Sequence, residues 1–183
     1  MKVERLQVPD VIAITPDRFG DARGFFSETW NAARFAAAGI DAQFVQDNQS
    51  LSRDRGVVRG LHCQIGPNAQ GKLIRCLKGA IWDVAVDARR DSPTFGKWVG
   101  LELSSDNWTQ LWIPAGFLHG FCTLTPDTEV VYKVTAPYDR EAERGVLWND
   151  PTLALPWPIA ESEAVLSEKD KTLPHWADTP PLF

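Results

Sequence analysis

The chain contains only three histidines, three cysteines, two tyrosines and one methionine, and it has no surplus of positive charge. Each scarcity removes a class of protein. With 19 Lys and Arg against 24 Asp and Glu, the formal charge is −5. Binding along a nucleic-acid backbone needs a basic surplus on one face, so nucleic acid is not the expected partner. A single anionic ligand stays open, provided basic side chains such as Arg23, Arg59 and Lys72 gather locally. Cys63, Cys76 and Cys122 are odd in number and form no CxxC pair, which argues against a disulfide framework or zinc knuckle and for reduced thiols. No stretch approaches the roughly 20 apolar residues of a membrane-spanning helix. The start, Met1-Lys2-Val3-Glu4-Arg5-Leu6, lacks the apolar run of a signal peptide. A cytoplasmic protein with no membrane partner is expected.

What is present is ordinary for a soluble globule, 44% hydrophobic and 23% charged over 183 residues. That length buries a full core as one domain, residues 1–183. The central third reads as short strands. In Ile81-Trp82-Asp83-Val84-Ala85-Val86-Asp87, alternation puts Trp82, Val84 and Val86 on one face and Asp83 and Asp87 on the other, as in a half-buried strand. Strand-like runs follow at 97–103, 109–113, 119–124 and 129–134, separated by turn-forming groups such as Pro114-Ala115-Gly116. Close-spaced short strands imply an all-β barrel or sandwich. Helix signals are few and peripheral: Asn31 as cap for 32–38 with Gly39 as its stop, and a capping-box form at Ser167-x-x-Asp170. The flanking prolines of Trp157 and the closing Pro180-Pro181 predict an extended C-terminal third wrapped over the barrel.

Two histidines sit in unusual settings, His62 after Arg59-Gly60-Leu61 and His119 at the end of Pro114-Ala115-Gly116-Phe117-Leu118, whereas His175 lies in a Pro-rich tail. The Pro-x-Gly-x-x-His pattern resembles the second motif of cupin barrels. Metal-binding cupins add His-x-His, but here the stretch reads His62-Cys63-Gln64, so a metal site is disfavoured. A metal-free barrel can still abstract a proton next to a carbonyl. That needs a base near neutrality, a group that stabilises the enolate and, for inversion, an acid on the other face. His62 is a candidate base, Tyr132 a candidate acid, and Lys72 or His119 a candidate electrophile. Bland readings stand beside these. Tyr132 shares a face with Val130 and Val134 and fits a core aromatic; Lys72 fits a solvated lysine; Asp170 fits the Ser167 cap; Arg23 and Glu28 fit an exposed ion pair.

Taken together, the segments from Gly20 to Glu28, Phe44 to Asn48, Gly56 to His62, Gln70 to Leu73, Asp83 to Asp87, Ser92 to Gly96, Gln110 to Phe121, Leu147 to Pro151 and Leu166 to Asp170 resemble the dTDP-4-dehydrorhamnose 3,5-epimerase family over nearly the whole length. The resemblance implies a cupin-type double-stranded β-helix, a jelly-roll barrel with a few short peripheral helices. It implies a homodimer that inverts C3 and C5 of dTDP-4-dehydro-6-deoxy-D-glucose without a cofactor, giving dTDP-4-dehydro-L-rhamnose. His62 would be the base, oriented by Asp170; Tyr132 would return the proton; Lys72 would support charge on the C4 oxygen. Arg23, Glu28, Gln46, Asp47, Asn48, Arg59, Lys72, His119, Glu143 and Lys169 match the family's binding positions, and Phe19 and Phe26 would stack on thymine, with the partner subunit completing the nucleotide pocket. Cys63 stands where the family usually has an aromatic residue, and alternation points it away from the base. A mono-epimerase of a related 4-keto deoxysugar, a metal-dependent cupin enzyme and a non-catalytic sugar-nucleotide-binding module are the alternatives.

Overall fold

The computed structural model describes all residues, Met1–Phe183. The strands are β1 (Lys2–Arg5), β2 (Ile12–Thr15), β3 (Phe19–Asp21), β4 (Gly24–Phe26), β5 (Gln46–Ser52), β6 (Val58–Gln64), β7 (Lys72–Lys78), β8 (Ala80–Asp87), β9 (Trp98–Ser104), β10 (Gln110–Ile113), β11 (Phe117–Thr123), β12 (Thr128–Val134) and β13 (Glu143–Gly145). They form a six-stranded sheet ordered β1-β2-β10-β7-β12-β5, a five-stranded sheet ordered β13-β6-β11-β8-β9, and a separate β3–β4 hairpin. The expected all-β architecture is observed, with strand ends within one residue of the runs read from the sequence in most cases and two earlier at β11.

Apolar residues of both sheets meet between them, among them Ile74, Ile81, Leu103, Leu111, Phe117, Phe121 and Val130. This inter-sheet core fills one end of the jelly roll. The outer face of the five-stranded sheet is apolar too, and the C-terminal segment covers it with Leu153, Leu155, Leu182, Trp157 and Trp176. On the outer face of the six-stranded sheet, the single α-helix α1 (Ala32–Ala37) seats Phe35 against Ile12, Ile14 and Leu73. Its N-terminus is capped as the sequence suggests, Asn31 accepting from the Arg34 amide, and Gly39 beyond its end has φ +89°.

One sequence expectation fails at β8. Asp83 and Asp87 do not face solvent; both are fully buried. The strand is covered on both faces, so its polar positions are internal groups with dedicated partners. Asp87 accepts from the Arg89 backbone and guanidinium, from Ser92 and from Thr94. These bonds outweigh the burial that opposes its ionisation and bring its pKa down to about 2.

A second departure sits in β6, where His62 pairs with His119 but Arg59 pairs with Phe121, leaving two residues, Gly60 and Leu61, on one strand against Gly120 alone on the other. The extra residue is a bulge. Strict alternation would send Arg59 and His62 to opposite faces, and the bulge turns both toward the cleft. Gly60 permits it: its φ is +129°, and a Cβ there would lie 2.5 Å from the Gly120 Cα.

Asp87→Asn is expected to lower unfolding free energy near neutral pH by about 2 kcal/mol, the equivalent of the pKa depression. A depressed folded-state pKa contributes stability that is complete above the unfolded value and lost as pH falls through the folded one. Urea melts of the two proteins should therefore converge as pH falls from about 4 to about 2.

Candidate active site

At the end of the jelly roll not filled by the apolar core, the two sheets enclose a polar cleft of about 470 Å³ lined by Arg59, His62, Lys72, His119, Tyr132 and Asp170, among others. It continues into a second space of about 350 Å³ that shares His62, Lys72 and Tyr132 and adds Gln46, Asn48, Tyr138 and Glu143. The walls come from different sheets. Arg59 and His62 stand on β6 and His119 on β11, whereas Lys72 is on β7 and Tyr132 on β12. Register explains the second wall: Tyr132 lies opposite Ile74 and Asn48, and Val134 lies opposite Lys72, so Lys72, Tyr132, Asn48 and Gln46 share the inner face. The two histidines are direct cross-strand partners. Imidazoles thus face a phenol and an ammonium across one cavity.

The third wall comes from far along the chain. Val165 bridges Val57, and the backbone bonds Val58 N–H to Val165 O and Val165 N–H to Gly56 O lay the C-terminal segment beside β6. Asp170 then reaches His62, with its Oδ1 at 2.6 Å from Nε2. A carboxylate only accepts, so Nε2 carries the hydrogen and Nδ1 of the neutral ring keeps its lone pair. Burial works against the Asp170 charge, but the hydrogen bond and charge of His62 and the Ser167 hydroxyl hold its pKa below the ordinary value. The Ser167 cap is therefore half formed: Ser167 Oγ accepts from the Asp170 amide, while the carboxylate turns to the imidazole.

Facing groups are shifted by burial as well. Lys72 makes no ion pair, and burial lowers its pKa from the ordinary lysine value despite nearby Cys63, Asp83 and Glu143. Burial raises the Tyr132 pKa, with Arg59 pulling the other way. The Tyr132 ring packs on the inter-sheet core, so the core reading and the cleft reading both describe it. At the rim, Glu143 pairs with Lys169 at 2.6 Å and accepts from the Tyr138 hydroxyl. No group of three or more His, Cys, Asp or Glu side chains is arranged to hold a metal ion.

A family model described as dTDP-4-dehydrorhamnose 3,5-epimerase matches residues 5–178. The chain is 51% identical over 183 residues to the dTDP-4-dehydrorhamnose 3,5-epimerase of Sinorhizobium fredii, covering all of this chain and 93% of that protein. The chain belongs to the dTDP-4-dehydrorhamnose 3,5-epimerase family. Among solved structures, the Bacillus anthracis family member with TDP and PPi bound superposes with a TM-score of 0.92 at 50% identity, covering 95% of this chain and 98% of that one. The Legionella pneumophila enzyme in complex with dTDP-4-keto-L-rhamnose gives 0.90 at 44% identity, covering 95% and 92%.

Of the positions that the resemblance to this epimerase family singled out, His62, Lys72, Tyr132, Asp170, Gln46, Asn48, Arg59, His119, Glu143 and Lys169 line the cleft. Five do not. Asp47 faces the opposite side of β5, where it pairs with Lys133. Phe19, Arg23 and Phe26 stand on the β3–β4 hairpin, with Phe19 62% and Phe26 70% exposed. Arg23 and Glu28 are not an ion pair; Arg23 binds Asp21 and Glu28 binds Arg34. Cys63 is buried among the apolar residues of the outer layer and also borders the second cleft space. His175 lies outside the cleft and bonds Asp150. Asp83, Ser50, Ser167 and Tyr138 are cleft or near-cleft groups that sequence reasoning passed over. Asp83 was legible only as a polar position in an alternating strand, and a covered strand was not.

Replacing His62 with Leu removes the bond that lowers the Asp170 pKa and leaves burial, which raises it. Carbonyl-carbon NMR should show Asp170 titrating below the ordinary aspartate range in the parent protein and at distinctly higher pH in His62→Leu. The dyad's contribution to stability should accordingly be present above that range and fade on acidification.

Proposed function

We infer that the protein epimerises C3 and C5 of dTDP-4-dehydro-6-deoxy-D-glucose, yielding dTDP-4-dehydro-L-rhamnose, with His62 and Tyr132 acting from opposite walls of the cleft. The observation that carries the assignment of roles is that opposition: an imidazole held by Asp170 on one sheet and a phenol on the facing sheet. A C4 ketone acidifies the hydrogens on C3 and C5. His62 Nδ1 takes one of them, the C–H electrons move into the ring, and negative charge develops on the C4 oxygen. Asp170 stabilises the imidazolium so formed. Lys72 sits on the facing sheet with its ammonium in the cleft, and a donor placed at a developing oxyanion contributes several kcal/mol, of the order of 3. Tyr132 then gives its hydroxyl proton to the opposite face of the carbon. Arg59 lies close enough to favour the phenolate that remains. Exchange with water resets both groups, and the same cycle serves the second carbon.

Substrate recognition follows the same layout. Arg59 and Lys169 supply charge for the diphosphate, a guanidinium offering two parallel hydrogen bonds to phosphate oxygens. Gln46, Asn48 and Glu143 line the adjoining space and would meet the remainder of the ligand. The β3–β4 hairpin carries Phe19, Arg23 and Phe26 into solvent, an aromatic and cationic surface suited to a nucleotide base and its phosphates but absent from the cleft of its own chain. A homodimer, in which the hairpin of one protomer reaches the cleft of its partner, would bring them together.

Incubation with the 4-keto sugar nucleotide in heavy water tests the reaction. Deuterium is expected at both C3 and C5, with turnover unchanged by chelator. Label at C3 alone would place the protein among mono-epimerases, and no label at either carbon would refute the reading.

A further inference from the structure

Asp83 is fully buried beside the cleft, and the reaction above gives it no task. Both of its carboxylate oxygens lie 3.0 Å from His119 Nε2. The hydrogen of this contact belongs to the imidazole, since the carboxylate has only lone pairs. His119 is itself buried, and burial, aided by the charges of Lys72 and His62, outweighs Asp83 and lowers its pKa. A neutral ring with its hydrogen on Nε2 has a bare lone pair on Nδ1. Nδ1 has no partner within the protein and is not among the sealed polar atoms, and the residue lines the cleft.

The chemistry around it gives that lone pair a use. Lys72, Arg59 and Tyr132 all present donors to the cavity, whereas a sugar ring offers hydroxyls that need an acceptor. We propose that Asp83 is a positioning residue that locks His119 in the Nε2-protonated tautomer, so that His119 accepts a hydrogen bond from a sugar hydroxyl through Nδ1 and does not donate to the ketone oxygen. The inference rests on the epimerase reading for its substrate, but not for the tautomer. It separates two imidazoles that are cross-strand neighbours. His62 gains a proton during turnover, and a second imidazolium beside it would oppose that step. A neutral acceptor does not. The electrophile is then Lys72 alone.

Nitrogen-15 NMR of the substrate-free protein labelled at histidine reads the tautomer directly. His119 is expected to show a protonated Nε2 and an unprotonated Nδ1. In Asp83→Asn the amide can donate to Nε2 and move the ring hydrogen to Nδ1. KM for the 4-keto sugar nucleotide should then rise roughly 10- to 100-fold, the loss expected when a site built to pair a substrate hydroxyl can no longer do so. The value of kcat should stay within about threefold, as for removal of a contact made equally in ground and transition states. A merely structural Asp83 would lower thermal stability and leave tautomer and KM unchanged, and that result overturns the proposal. So does a hydrogen on Nδ1 in the parent protein, a measurement that needs neither the variant nor turnover. A protein with the expected tautomer that is inert toward the sugar nucleotide would instead sink the epimerase reading and, with it, the hydroxyl contact.

Discussion

The hydrogen bond between His62 and Asp170 joins the two parts of the molecule on which everything else depends. One partner stands on an inner strand of the jelly roll, and the other lies 108 residues later in the C-terminal segment. The bond forms only if β6 bulges to turn His62 inward and if the C-terminal segment is laid along that strand by the Val57–Val165 bridge. It fixes which nitrogen of the imidazole faces the cavity. It also closes the cleft wall, because Leu166, Ser167 and Lys169 arrive with Asp170. The placement of the tail and the geometry of the site are thus coupled.

The same pairing recurs at every histidine. His62 meets Asp170, His119 meets Asp83 and His175 meets Asp150, and in each pair the aspartate side chain is 5% exposed or less. What differs is the surroundings. Asp150 also accepts from the amides of Thr152, Leu153 and Trp176, so its pair with half-exposed His175 pins the C-terminal strap. The other two pairs open onto the cleft, on adjacent strands, facing Lys72 and Tyr132. A buried carboxylate orients an imidazole in all three places; only the presence of a cavity turns orientation into chemistry.

Much of the fold was legible in residue order. Period-two patterns and turn groups mark the strands, and Asn31 with Gly39 marks the helix. The candidate base and the cupin-like turn leading to His119 were also visible. Three features were not, for physical reasons. Alternation cannot distinguish a polar face turned to water from one turned to an interior with partners, which hid Asp83 and Asp87. A bulge changes the parity of a strand without altering its composition, which hid the common face of Arg59 and His62. The opposition of His62 and Tyr132 depends on which sheet each strand joins, a long-range fact carried in the sequence only by resemblance to a family. Arg23, Phe19 and Phe26 remain outside the cleft of their own chain because their hairpin projects from it.

Exchange and inversion at the two carbons are separated by positional deuterium content and product configuration, measured together in heavy water for His62→Asn and Tyr132→Phe. His62→Asn is expected to lose label at both carbons, because no base begins the reaction. Tyr132→Phe should still exchange hydrogen while forming little inverted product, because the proton returns from the face it left. Exchange persisting in His62→Asn, or inverted product at the parental rate in Tyr132→Phe, would contradict the opposed roles of the two residues.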